Sequence, residues 1–232
     1  MTPDHLGSLG DVQAAFSVQL HRADLGAPVA ACAPWTVADL ARHLGGIYRW
    51  AAGMAQGEAS DDAVPVEPHG PGSVIGWYDA NAALLHGVLT RLGPDAPCPT
   101  LVGPGTAAFW RRRQLHESVI HLWDLLTAAD RGLVLDPLVT ADTVDEVVTV
   151  MQPRQVRLNR MAPLRVGVEL RASDAERSWL LGDARAARAI VVGPSLTLAL
   201  LLWRRITPDH PDLAVSGDPT ALAAALSQPL TP

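Results

Sequence analysis

Lysine is missing from this chain: all eighteen basic residues are arginine. Abundant Ala, Pro and Gly accompany that absence, so it reads as the coding bias of a GC-rich genome and carries no structural weight. Cysteine is scarce. Cys32 and Cys98 are far apart and form no CxxC pair, which excludes a disulfide framework and a thiol-rich zinc finger. No basic stretch leads into an apolar core at the N-terminus, so the cytoplasm is the expected compartment. Long apolar runs are lacking too. The longest, Ala189 to Trp203, is broken by Gly193, Pro194, Ser195 and Thr197 and is too short to span a bilayer, so no transmembrane segment is expected. Excess positive charge is absent: the net charge is −6 and the sequence pI about 5.7. A nucleic-acid backbone or an anionic membrane therefore makes a poor main partner, and small molecules are the better expectation.

Several chemical motifs are also absent. Gly70-Pro71-Gly72-Ser73-Val74-Ile75-Gly76 has the wrong spacing for a dinucleotide fingerprint and follows a loop where a strand is required. No Walker loop, GxSxG elbow or HExxH occurs, and neither cysteine has the flanks of a catalytic nucleophile, which leaves both as structural or incidental.

What is present suffices for a folded core: 48% hydrophobic against 18% charged residues over 232 positions. That length favours two modest domains. Helical periodicity predicts a first helix from Asp11 to about Asp24 and a second from Thr36 to about Ala52, opened by a capping-box-like Thr36–Asp39 pair. The Gly-, Pro- and acid-rich stretch Gln56 to Gly72 reads as a surface loop, followed by a helix from Ser73 to Leu92. A second loop, Gly93 to Gly105, leads into a long helix from Thr106 to about Asp130. Four such helices suggest an antiparallel bundle. A linking helix is expected from Ala141 to about Met151. After Pro163 the period changes to two: Leu164 to Leu170, Trp179 to Leu181 and Ala189 to Val192 read as strands. A helix through Arg205, a strand at Leu213 to Val215 and a helix from Pro219 to Ser227 complete an α+β chain. The expected domains are 1–158 and 159–232.

The fourth helix carries the chemistry. Glu117 and His121 are four residues apart, on one helix face and about 6 Å apart along the axis, so both can reach one metal ion. Arg113 and Asp124 share that stripe. One reading is a solvated face of pairs four residues apart. Against it, Leu115, Ser118, Val119, Ile120, Leu122, Trp123, Leu125 and Leu126 make the rest of the helix apolar, so a charged stripe there needs partners. His43 on the second helix is the candidate third ligand, facing the fourth across a bundle core. His116 points about 100° away from Glu117 and is excluded. Asp39 and Asp124 are candidates to orient an imidazole through its second nitrogen. Zinc suits two imidazoles and a carboxylate and leaves one position open, although iron, nickel or manganese accept similar ligands.

Trp35-Thr36-Val37-Ala38-Asp39-Leu40-Ala41-Arg42-His43-Leu44, with Arg112-Arg113-Gln114-Leu115-His116-Glu117-Ser118-Val119-Ile120-His121-Leu122-Trp123-Asp124, resembles the N-terminal domain of mycothiol-dependent maleylpyruvate isomerases, members of the DinB-like metalloenzyme superfamily. Trp179, the strand Ala189 to Val192, the helix around Leu200 to Arg205 and the Gly217-Asp218 turn resemble that family's small α/β C-terminal domain. The resemblance implies a DinB-like four-helix bundle, a divalent metal, zinc by preference, on His43, Glu117 and His121, and mycothiol as thiol cosubstrate. It implies an S-transferase or isomerase acting on a small electrophile, with Arg113, and Arg204 and Arg205 from the second domain, as candidates to meet substrate charge. Two rival readings stand beside it: a metal-binding regulatory or scaffold protein without turnover, and a thiol-independent metal hydrolase that activates water at the same open position.

Overall fold

The chain is described as a computed structural model over residues 2–58, 71–183, 185 and 187–232. It divides into two compact units, one of residues 4–134 and one of residues 135–232 with the first three residues.

The first unit is a bundle of α1 (His5–Leu20), α2 (Val37–Ala55), α3 (Pro71–Leu92) and α4 (Ala107–Thr127). Leu9, Val12, Phe16 and Leu20 recur at helical spacing and bury one face of α1. The helix begins six residues earlier than its apolar pattern suggests, because Asp4 accepts a hydrogen bond from the Gly7 N–H and caps it. At α2 the expected capping box is present: Thr36 Oγ1 accepts from the Asp39 N–H, and Asp39 Oδ2 accepts from the Thr36 N–H. Each helix packs on two neighbours, giving the ring order α1, α3, α2, α4. Gly45 sets how close α2 comes to α3, since a Cβ there would sit 2.7 Å from Trp77 Nε1. The ring order makes α2 the neighbour of α4.

One expectation needs correction here. Gly93 to Gly105, read as loop, holds an antiparallel hairpin of β1 (Pro97–Thr100) and β2 (Gly103–Thr106). Its Pro and Gly content hid it, yet Pro99 O accepts from Trp110 Nε1 and Ala96 O from the Ala107 N–H, which fixes the ribbon to the start of α4. Of the stretch Gln56 to Gly72, residues 59–70 lie outside the described residues.

The second unit opens with α5 (Pro137–Glu146), which runs through a π-helical turn at Val147–Met151 into α6 (Gln152–Arg157). Its four-stranded sheet comprises β3 (Gly167–Ala172), β4 (Ser178–Gly182), β5 (Ala187–Gly193) and β6 (Ala214–Gly217) in the order β4-β3-β5-β6. Only the central β3–β5 pair is parallel. Gly182 has φ +92°, and a Cβ there would strike the Val166 carbonyl at 2.1 Å, so this strand end takes no side chain. Two more helices, α7 (Ser195–Leu202) and α8 (Pro219–Leu226), pack on β3 and β5. Sequence periodicity puts the domain boundary at 158/159; by contact it falls at 134/135. The reason is physical: α5 packs on α7, and Asp145 accepts from both Arg177 Nη2 and Trp179 Nε1 at 2.9 and 3.0 Å, tying the helix to β4. The fold is thus α+β, a helical bundle followed by a small α/β unit. No helix among the described residues is long and apolar enough to cross a membrane.

Candidate metal centre

Helix α4 is buried around most of its circumference, including Arg113, His121 and Asp124, so its charged stripe lies inside the bundle rather than on a solvated face. Burying charge without a partner is prohibitively costly, and here every member has one. Glu117 Oε2 accepts from Arg113 Nη2 at 2.5 Å. Its other oxygen, Oε1, lies 3.3 Å from His121 Nε2 and 3.5 Å from His43 Nε2. The donor atoms of His43, Glu117 and His121 all lie within 4.8 Å of one another. A tetrahedral ion with bonds of about 2.0 Å has ligand–ligand edges of about 3.3 Å. The two edges at Glu117 Oε1 match that figure, so the residues present fit a small divalent ion.

The support of each donor is visible. On the far side of the His121 ring, Nδ1 pairs with Asp124 Oδ2 at 2.9 Å, which aims Nε2 at Glu117. The Asp124 side chain is fully buried. His43 and His121 meet edge to face with ring centroids 5.2 Å apart, and the tilted Trp35 ring has its centroid 4.8 Å from that of His43. Burial alone would raise the Glu117 carboxyl, but the Arg113 charge and hydrogen bonds from His121 and His43 hold it well below the usual carboxylate range. Burial would likewise lower His121, yet hydrogen bonds to Asp124, Cys32 and Glu117, with the Glu117 charge, raise it well above the ordinary imidazole value. Both shifts favour the charged forms of the pair, a carboxylate facing an imidazolium.

The other sequence candidates fall differently. Asp39 is occupied at the α2 cap, accepting from Thr36 and from Arg42 Nη1, whereas Asp124 has the orienting position. Arg113 is 4% exposed and spent on Glu117, which makes it a support of the carboxylate. Arg204 and Arg205 belong to the second unit. Arg204 Nη2 donates to the carbonyls of Ser227 and Gln228, and Arg205 Nη1 to that of Trp203. Two neighbours were missed by sequence reasoning: Trp35, and Cys32, whose Sγ donates to Asp124 Oδ2 at 3.4 Å. Cys32 and Asp124 are 92 positions apart, and no local pattern could pair them.

A four-helix bundle with two imidazoles and a carboxylate converging from its second and fourth helices, followed by a small mixed sheet, defines an α+β protein with a candidate metal centre. Residues 7–126 match the mycothiol maleylpyruvate isomerase N-terminal domain, and residues 139–224 match the MDMPI C-terminal domain. The chain belongs to the mycothiol maleylpyruvate isomerase family. Solved structures similar to it include the mycothiol-dependent maleylpyruvate isomerase, at TM-score 0.65 and 15% identity. A histidine-to-alanine mutant of that enzyme gives TM-score 0.66 at 14% identity, and in both comparisons 93% of each chain is covered. No curated protein matches the chain by sequence.

Proposed function

We propose that this chain is a metal-dependent enzyme that uses a low-molecular-weight thiol, mycothiol by family, to isomerise or thiolate a small electrophile in the cytoplasm. The observation that carries the reading is the convergence of His43 Nε2, Glu117 Oε1 and His121 Nε2 at edges of 3.3 and 3.5 Å. Family membership supplies the thiol and the isomerase class. In this reading the three residues hold the ion, zinc by preference, and leave one position open. When bound, such an ion supplies a Lewis acid that keeps a ligating thiol deprotonated near neutral pH. Arg113 binds the outer Glu117 oxygen and so turns Oε1 inward. Asp124 holds the His121 tautomer whose Nε2 offers its lone pair. Trp35, half-buried against His43, lines one side of the site with an apolar ring.

The test is elemental analysis of the purified protein beside His43→Ala and His121→Ala, followed by turnover of maleylpyruvate with and without mycothiol. Near one equivalent of metal, lost in both variants, with turnover that requires the thiol, is expected. A native protein that takes up no zinc overturns the metal reading. Turnover of an ester or amide without thiol would instead make it a hydrolase.

A further inference from the structure

The His121 ring faces two donor sets, one from each nitrogen. Nε2 looks toward Glu117, while Nδ1 looks toward Asp124, beside which Cys32 places its sulfur. The donor atoms of Cys32, His121 and Asp124 also lie within 4.8 Å of one another. We infer that Cys32, His121 Nδ1 and Asp124 form a second coordination site, selective for a thiophilic ion, that shares the His121 ring with the first.

Geometry and donor chemistry carry this. With a metal–sulfur bond of about 2.3 Å and a metal–oxygen bond of about 2.0 Å, a tetrahedral ion has an S–O edge of about 3.5 Å. The Cys32 Sγ to Asp124 Oδ2 separation is 3.4 Å. The His121 Nδ1 to Asp124 Oδ2 distance is 2.9 Å, so that edge opens by roughly 0.4 Å on binding. The sulfur is held in place by its backbone. Its own N–H donates to the Val29 carbonyl, its carbonyl accepts from the Trp35 N–H, and the Val29 N–H returns to the Trp35 carbonyl. Pro28 and Thr36 close the base of this loop as an antiparallel bridge. Thiolate donors favour soft ions such as Cu(I), Zn(II) and Cd(II) over Mg(II) and Mn(II), whereas the His43–Glu117–His121 set offers only nitrogen and oxygen.

Binding is a ligand exchange with no redox step. The Cys32 thiol and the His121 Nδ1–H each release a proton to solvent, and each donor atom gives its lone pair to the ion. The Nδ1–H···Asp124 hydrogen bond is lost in the process. That bond aims the ring at Glu117, so a soft ion in the second set withdraws the support of the first.

Cadmium titrated into the metal-free full chain tests this, read by the ultraviolet sulfur-to-cadmium charge-transfer band together with bound-metal stoichiometry. The band is expected in the native chain, in Cys98→Ser and in His43→Ala. It should disappear in Cys32→Ser and Cys32→Ala and weaken severalfold in Asp124→Asn, with circular dichroism confirming that each variant is folded. Loss of cadmium from His43→Ala alone bears on the nitrogen–oxygen centre and leaves the sulfur band intact. The inference is overturned if folded native protein binds cadmium without a sulfur band, or if the band persists in both Cys32 variants.

Discussion

Helices α4 and α7 are both buried, one in each unit, yet they are buried for opposite reasons. In α7 the interior is hydrocarbon: Leu198, Ala199, Leu200, Leu201 and Leu202 fill it, and the polar Ser195 and Thr197 sit in its first turn. The hydroxyl of Ser195 is satisfied there by Asp174 and Thr140. In α4 the interior includes Arg113, Gln114, His116, Ser118, His121 and Asp124 alongside its leucines and Val119. Hydrocarbon burial stabilises a fold wherever it occurs. Buried charge stabilises little and must be compensated locally, so a helix that concentrates it does so for a site.

The comparison can be broken at several points. Arg113→Ala should have the largest effect, because it leaves Glu117 without its guanidinium. We expect a loss of about 3–5 kcal/mol in the metal-free protein and a smaller loss with saturating zinc, read by urea unfolding with and without the metal. An equal loss in both conditions would mean that the stripe is only structural. Leu198→Ala in α7 should cost about 2–5 kcal/mol through a cavity, with no change in metal stoichiometry of the folded protein. A change there would show that α7 is more than a stability element. Asp124→Asn should cost less folding stability than Arg113→Ala, because the amide still hydrogen-bonds the ring, but weaken metal binding about 10–100-fold, since the ring loses its carboxylate partner. Competition against a chelating dye measures this, and the pH dependence sharpens it. With His121 raised above its ordinary 6.5, the native site competes with a proton, so its apparent metal affinity should climb as pH rises through that raised value and level off above it.

Much of the architecture was legible locally. The Thr36–Asp39 box announced α2, apolar spacing announced α1, the end of a Pro- and Gly-rich stretch announced α4, and the switch to a period of two announced the sheet. Where local reading failed, the cause was a partner outside the window. Asp4 extends α1 beyond its apolar pattern, and the carbonyls of Ala96 and Pro99 fix a Pro- and Gly-rich ribbon to α4 that composition alone calls a loop. The domain boundary moved for the same reason, since the amphipathic pattern of α5 cannot say which neighbour covers it.

The same division runs through the site. Helical periodicity by itself placed Arg113, Glu117, His121 and Asp124 on one stripe, because a rise of about 1.5 Å and a turn of about 100° per residue leave no other arrangement. The setting of His43 and Trp35 against that stripe, and of the Cys32 sulfur against Asp124, was decided only by tertiary structure. Those contacts depend on which helix packs beside α4 and on how the loop before α2 closes on its own backbone, and neither is written in the spacing of any one segment.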